Sequence, residues 1–289
     1  MQWGTPTVVG APVETGVRYG KPGKAAADDD VELGAPPSQN HVDHGSSPAG
    51  ASWKVPEEEW YATRCPDAMT GENRANFIRK VFGILAFQMA ITVTICAAAM
   101  FIPFVQAAFI RLLVSPGASF MIMIPAICVL CALQKYKSEH PTNYYLLLAF
   151  TVLMSMSVAG VCALYQKAGL GFLILQAFVA TAIAFGSLSL YALKSGKDFT
   201  WMGGMLSMAL MGMIGFSFFG ALFGFHGGAI FSLFGVVVFS GFILYDTSRV
   251  LQVYGPDDAI VAAVELYLDI LNLFLYILEL LSECSNQDS

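Results

Sequence analysis

Charge is what this sequence has least of. Lys, Arg, Asp and Glu make up 12% of its 289 residues, where a soluble domain carries about 25%. Hydrophobic residues fill 56%. That balance excludes a soluble globular domain and leaves a chain that crosses a membrane several times. Basic residues are too few for a nucleic-acid surface. Histidine is rarer still, four in all. His41 and His44 lie in a polar stretch with no Cys or further His beside them, so they read as solvated residues rather than a metal site. No apolar h-region opens the chain, so no cleaved signal peptide is expected. Six cysteines are scattered, and only Cys128 and Cys131 form a C-x-x-C. No second pair or nearby His completes a metal or redox site there, and the pair reads as apolar packing.

The charge that exists is unevenly placed. Residues 1–73 hold five Lys/Arg and eleven Asp/Glu, whereas 74–289 hold ten of each. Residues 1–72 also carry eight of the thirteen prolines and no sustained apolar periodicity. The expected organisation is a disordered, acidic, Pro-rich cytosolic tail over 1–73 and a membrane domain over 74–289. The tail has no N-x-S/T sequon, in keeping with the cytosol.

A membrane-spanning helix needs about 20 apolar residues. Seven runs qualify: Val81–Phe104, Gly117–Gln134, Tyr144–Tyr165, Gly169–Leu193, Thr200–Phe225, Gly228–Val250 and Ala259–Leu281. Basic residues near their ends set orientation. Arg74, Arg79, Lys80, Lys135, Lys137, Lys194, Lys197 and Arg249 fall on one side, and Arg111 and Lys167 on the other. The fold class expected is therefore an all-α membrane protein of seven transmembrane helices with a cytosolic N-terminus. A seven-span receptor of the opposite orientation does not fit.

Two aspartates interrupt the last two runs, Asp246 in "FILYDTSRVL" and Asp269 in "LYLDILNLFLYIL". A carboxylate in hydrocarbon costs several kcal/mol unless paired or neutralised. Gly255-Pro256-Asp257-Asp258 between the runs is a turn signal. Asp246 lies nine residues before Gly255 and Asp269 thirteen after Pro256. At 1.5 Å per residue an antiparallel hairpin puts both at similar depth, roughly 10–20 Å from the turn.

Asp269 also belongs to a stripe. Glu265, Asp269, Asn272, Tyr276 and Glu279 share an arc of about 80°. Such a stripe faces the bundle interior or water, not lipid. It is a candidate pore lining at Glu265, Asn272 and Tyr276. The alternative for Asn272 and Tyr276 is hydrogen bonding to neighbouring helices, and Glu279 reads as solvated.

Two carboxyl groups in contact do not both ionise cheaply, so the pair holds one proton between them. Losing it favours separation or capture of a cation, and carboxylates suit calcium. Asp246 and Asp269 thus make a candidate pH sensor, gate and transient calcium site. Arg249, one turn beyond Asp246, is a candidate cationic latch or else an ordinary positive-inside anchor.

An intramembrane aspartyl protease also places two Asp on adjacent late spans. Tyr245-Asp246 matches half of its signature, but Leu266-Tyr267-Leu268 precedes Asp269 where Gly-x-Gly is required, and no proline follows Pro256. A rhomboid needs a buried His, and His140 and His226 fall in connections. No enzyme activity and no cofactor are expected.

The stretches "RANFIRKVFGILAFQMAIT", "HPTNYYLLLAFT", "KDFTWMGG", "FILYDTSRVL" and "ELYLDILNLFLYIL" occur in order over residues 74–281. Together they resemble the transmembrane Bax-inhibitor-motif family, closest to its Lifeguard branch. The resemblance implies a seven-helix fold with the last helix central. It implies a pH-sensitive calcium leak across an intracellular membrane, endoplasmic reticulum or Golgi, and suppression of cell death, with cell-death regulatory proteins as candidate partners beside the bilayer, calcium and protons. It maps the di-acid sensor onto Asp246 and Asp269. Some members carry a latch arginine near the end of the second helix. This chain has Lys135 and Lys137 there, and lysine lacks the planar fork of arginine.

Overall fold

The computed structural model describes residues 71–136, 139, 141–224 and 227–287. Most of the predicted tail, 1–70, lies outside the described residues, as do Lys137, His41, His44, His140 and His226. Every described regular element is helical, as hydrocarbon demands: a backbone polar group in lipid must be satisfied within its own segment. The helices are α1 (Gly71–Phe101), α2 (Pro103–Val114), α3 (Pro116–Lys135), α4 (Thr142–Lys167), α5 (Gly171–Ser195), α6 (Gly203–Phe223), α7 (Gly228–Gln252) and α8 (Ala259–Gln287). Short 3-10 turns, Thr200–Met202 and Pro256–Asp258, lead into α6 and α8.

Six of these segments are long and apolar enough to cross a membrane, against the seven runs predicted. The remaining predicted run, Gly117–Gln134, coincides with α3, twenty residues with Pro125 inside. Its apolar stretch over Met121–Lys135 is shorter than the others. The chain is a multi-pass membrane protein. Two boundaries differ from the sequence reading. The first helix starts at Gly71 rather than Val81, and Pro103 breaks it before Phe104 by opening α2 at a position where a missing N–H costs nothing. α2 occupies what the hydropathy pattern left as a connection.

Helix ends follow local chemistry. Gly224 closes α6 at φ 73° and Gly196 follows α5 at φ 61°, left-handed positions that suit glycine. Asp198 accepts the Thr200 N–H at 2.7 Å ahead of the turn into α6. The hydrogen bonds from Thr200 hold its carboxyl below the usual range.

α8 is the most enclosed of the membrane-length segments. Of its most apolar window 67% is buried, against 11% for the segment containing α6. It packs against α7, α5, α1 and α4. Tyr267, Leu266, Leu273 and Leu278 are fully buried along it. One set of contacts fixes helix direction. Gln88 Nε2 donates to Thr151 Oγ1 at 3.1 Å, and Thr92 Oγ1 meets Ser155 Oγ at 2.9 Å. Both pairs advance together, so α1 and α4 run parallel. Tyr267 Oη of α8 closes this buried cluster, 2.9 Å from Thr92 Oγ1.

Candidate functional site

The turn between α7 and α8 sets the site. Pro256 opens the 3-10 turn with its fixed φ, and the Gly255 N–H donates to Asp258 Oδ2 at 3.1 Å. The two long helices then return antiparallel, and Asp246 and Asp269 come within hydrogen-bonding reach of each other. Each is 5% exposed. Asp269 Oδ2 meets no hydrogen-bond partner among the described residues.

Arg249 joins this pair to a third acid. Its Nη1 donates to Asp246 Oδ1 at 3.2 Å and to Glu265 Oε2 at 2.6 Å. Glu265 also accepts the hydroxyl proton of Tyr254. The guanidinium lies over the Tyr254 ring at 4.5 Å and near the Tyr245 ring at 5.4 Å, cation–π contacts that hold it toward the acids. Burial, and then the Glu265 carboxylate, push the Tyr254 hydroxyl above its ordinary range, so it remains a donor. Arg74 of α1 ties the corner down: its Nη1 donates to Tyr254 O at 2.7 Å and Val250 O at 3.2 Å, carbonyls left open where α7 ends. Two carboxyl groups, Asp246 and Glu265, therefore share one guanidinium, and Asp269 adjoins them through Asp246.

The structure separates the other candidates from this cluster. Asn272 donates to its own helix at Leu268 O, 2.8 Å. The Tyr276 ring stacks on Phe239 at 5.6 Å and meets Phe231 edge-on at 6.0 Å. Among the described residues no hydrogen bond joins either side chain to the acids. Lys135 is exposed, with its Nζ 5.5 Å from the ring of Tyr136. It makes no ion pair with the acids among the described residues. Lys137 lies outside them. Among these candidate cations, the geometry brings Arg249 to the acids. No group of three or more His, Cys, Asp or Glu among the described residues is arranged to hold a resident metal.

Sequence reasoning missed Tyr254 and gave Arg74 only an orienting role. The signal for Tyr254 was its place just before the Gly-Pro turn. Tyr276 depends on Gly235, where an added Cβ would stand 2.5 Å from its ring. Gly235→Ala is therefore expected to cost about 1–3 kcal/mol through overpacking between α7 and α8, read as a lowered Tm in detergent.

Comparison with known proteins identifies the family. Residues 74–286 match the family described as inhibitor of apoptosis-promoting Bax1. A BI1-like protein of Arabidopsis thaliana is 38% identical over 232 residues, covering 78% of this chain and 88% of the relative. Protein lifeguard 4 of Mus musculus is 32% identical over 230 residues, covering 78% and 92%. A Golgi anti-apoptotic protein of Vaccinia virus (strain Lister) is 35% identical over 223 residues, covering 74% and 87%. A match running from the first turn of α1 to the end of α8, with relatives at this identity over most of their length, means that the chain belongs to the transmembrane Bax-inhibitor-motif family, in its Lifeguard branch.

Proposed function

We propose that this protein is a pH-sensitive calcium leak of an intracellular membrane, endoplasmic reticulum or Golgi, that lowers stored calcium and suppresses cell death. The observation that carries the reading is the meeting of Asp246 and Asp269, each buried, on adjacent helices, with one guanidinium serving Asp246 and Glu265. Two carboxyl groups in contact share a proton and hold α7 to α8. Its loss leaves facing charges that repel and take up a cation. Arg249 is the latch that keeps Asp246 and Glu265 closed. Calcium is the cargo, the protein holds no cofactor, and it is not an enzyme.

Seven crossings support this reading better than six. α1 and α4 run parallel, so the chain crosses back between them. α3, at twenty residues, is about 30 Å long, enough for that crossing. The N-terminus and the acidic segment 1–73 are then cytosolic, by the distribution of basic residues.

The names of the relatives favour a second reading. They speak of Bax and of apoptosis, not of conduction. In that reading the protein is a non-conducting regulator that works through cell-death proteins. Purified full-length protein in liposomes loaded with a calcium dye separates the two. Calcium entry well above that of empty liposomes is expected. No entry at any pH, from protein that elutes as a folded species, would leave the regulator.

A further inference from the structure

One large cavity takes no part in the acid site. It lies between α1 and α5 and has a volume of about 960 Å³, the size of a ligand pocket. Its floor is Ile270, Leu271 and Phe274 of α8, which are 5%, 3% and 8% exposed. Its outer rim includes Phe101, Phe172 and Phe178, all exposed. Along α5 the wall runs from Gly171 to Phe185, about 20 Å at helical rise. That exceeds the roughly 15 Å thickness of one leaflet's hydrocarbon, half of the bilayer core.

The chemistry of the walls narrows the occupant. Two hydroxyls reach the cavity, Thr92 and Thr181. Thr181 Oγ1 already donates to Ala177 O at 2.7 Å, and Thr92 Oγ1 to Gln88 O at 2.9 Å. Neither needs a partner from an occupant. A polar ligand here would lose its hydration with little in return. α1 and α5 both have membrane-spanning length and hydropathy, and the rim between them is aromatic and exposed. What stands at that rim in a bilayer is hydrocarbon.

We propose that the groove between α1 and α5 is a binding site for an acyl chain of a membrane lipid, which lies against the central helix. Ile270 directly follows Asp269, so the occupant touches α8 beside the acid pair. The site is independent of the calcium reading and stands without it. Gln166 and the Gly169–Gly171 turn form the polar end of the groove, where the chain enters.

The test uses the full chain reconstituted in phosphatidylcholine liposomes that contain a phosphatidylcholine bearing a photoactivatable diazirine on its acyl chain. After photolysis, peptide mass spectrometry locates the adducts. Adducts at Ile270, Leu271 or Phe274 are expected, together with adducts at lipid-facing positions such as Ile230, which is 84% exposed. Ala182→Trp on α5 and Ala86→Trp on α1 fill the groove from opposite walls. Either is expected to lower the α8 adducts several-fold while those at Ile230 stay unchanged. Adducts confined to outward-facing residues of folded wild type, with none on α8, would overturn the proposal. So would labelling of α8 by a photoactivatable sterol but not by the acyl-chain probe. The wild-type result decides even where a tryptophan variant fails to fold.

Discussion

Arg249→Ala is expected to lower stability by about 2–4 kcal/mol. Removing one partner from a fully buried pair costs about 3–5 kcal/mol, because a charge is stranded. Arg249 keeps 25% of its side-chain exposure, so water recovers part of that loss. Its removal leaves Asp246 and Glu265 without their cation, beside Asp269. The companion variant carries the discrimination. Glu265→Gln removes one of the stranded charges and keeps an acceptor for Tyr254. The double variant Arg249→Ala, Glu265→Gln should therefore regain roughly half or more of the lost stability, as coupled neighbours do. Thermal unfolding of the four proteins in one detergent gives the cycle. Additive losses would mean that Arg249 is only an anchor at the membrane edge.

Leu273→Ala should cost about 1–3 kcal/mol, and Leu233→Ala close to nothing. Leu273 is fully buried on α8 among Leu206, Met213, Val238, Phe239 and Ile243. Leu233 on α7 is 52% exposed. In a bilayer the surroundings of an unfolded helix are as apolar as leucine, so transfer contributes little. What remains is the lost packing around a cavity. That loss is large where side chains surround the site and small where lipid refills it. Equal effects at the two positions would contradict a central α8.

Much of the acid site was legible because its determinants are local. Gly255-Pro256 announces the turn, and residue spacing then fixes the depth of Asp246 and Asp269. Arg249 follows from the same helix by position. The rest needed tertiary register. Arg74 reaches the α7 corner only because α1 packs there. Tyr254 reads as an ordinary pre-turn aromatic until α8 presents Glu265 to it. Gln88, Thr92, Thr151, Ser155 and Tyr267 are unremarked polar residues in apolar runs until α1, α4 and α8 bring them together. For Tyr276 a 100° rotation gives direction but not the neighbour: Gly235 and two phenylalanines pack against its ring. α2 escaped notice because twelve residues between Ile102 and Ser115 are too few to register as a span.

Calcium flux into proteoliposomes scanned over pH, for wild type and for Asp269→Asn, bears most directly on the shared proton. Asparagine keeps the hydrogen-bonding shape of a neutral carboxyl group but cannot ionise. Wild-type flux should change across the scan, and the Asp269→Asn flux should be flat. A variant that folds and still follows the wild-type pH profile would contradict a gate built on Asp246 and Asp269.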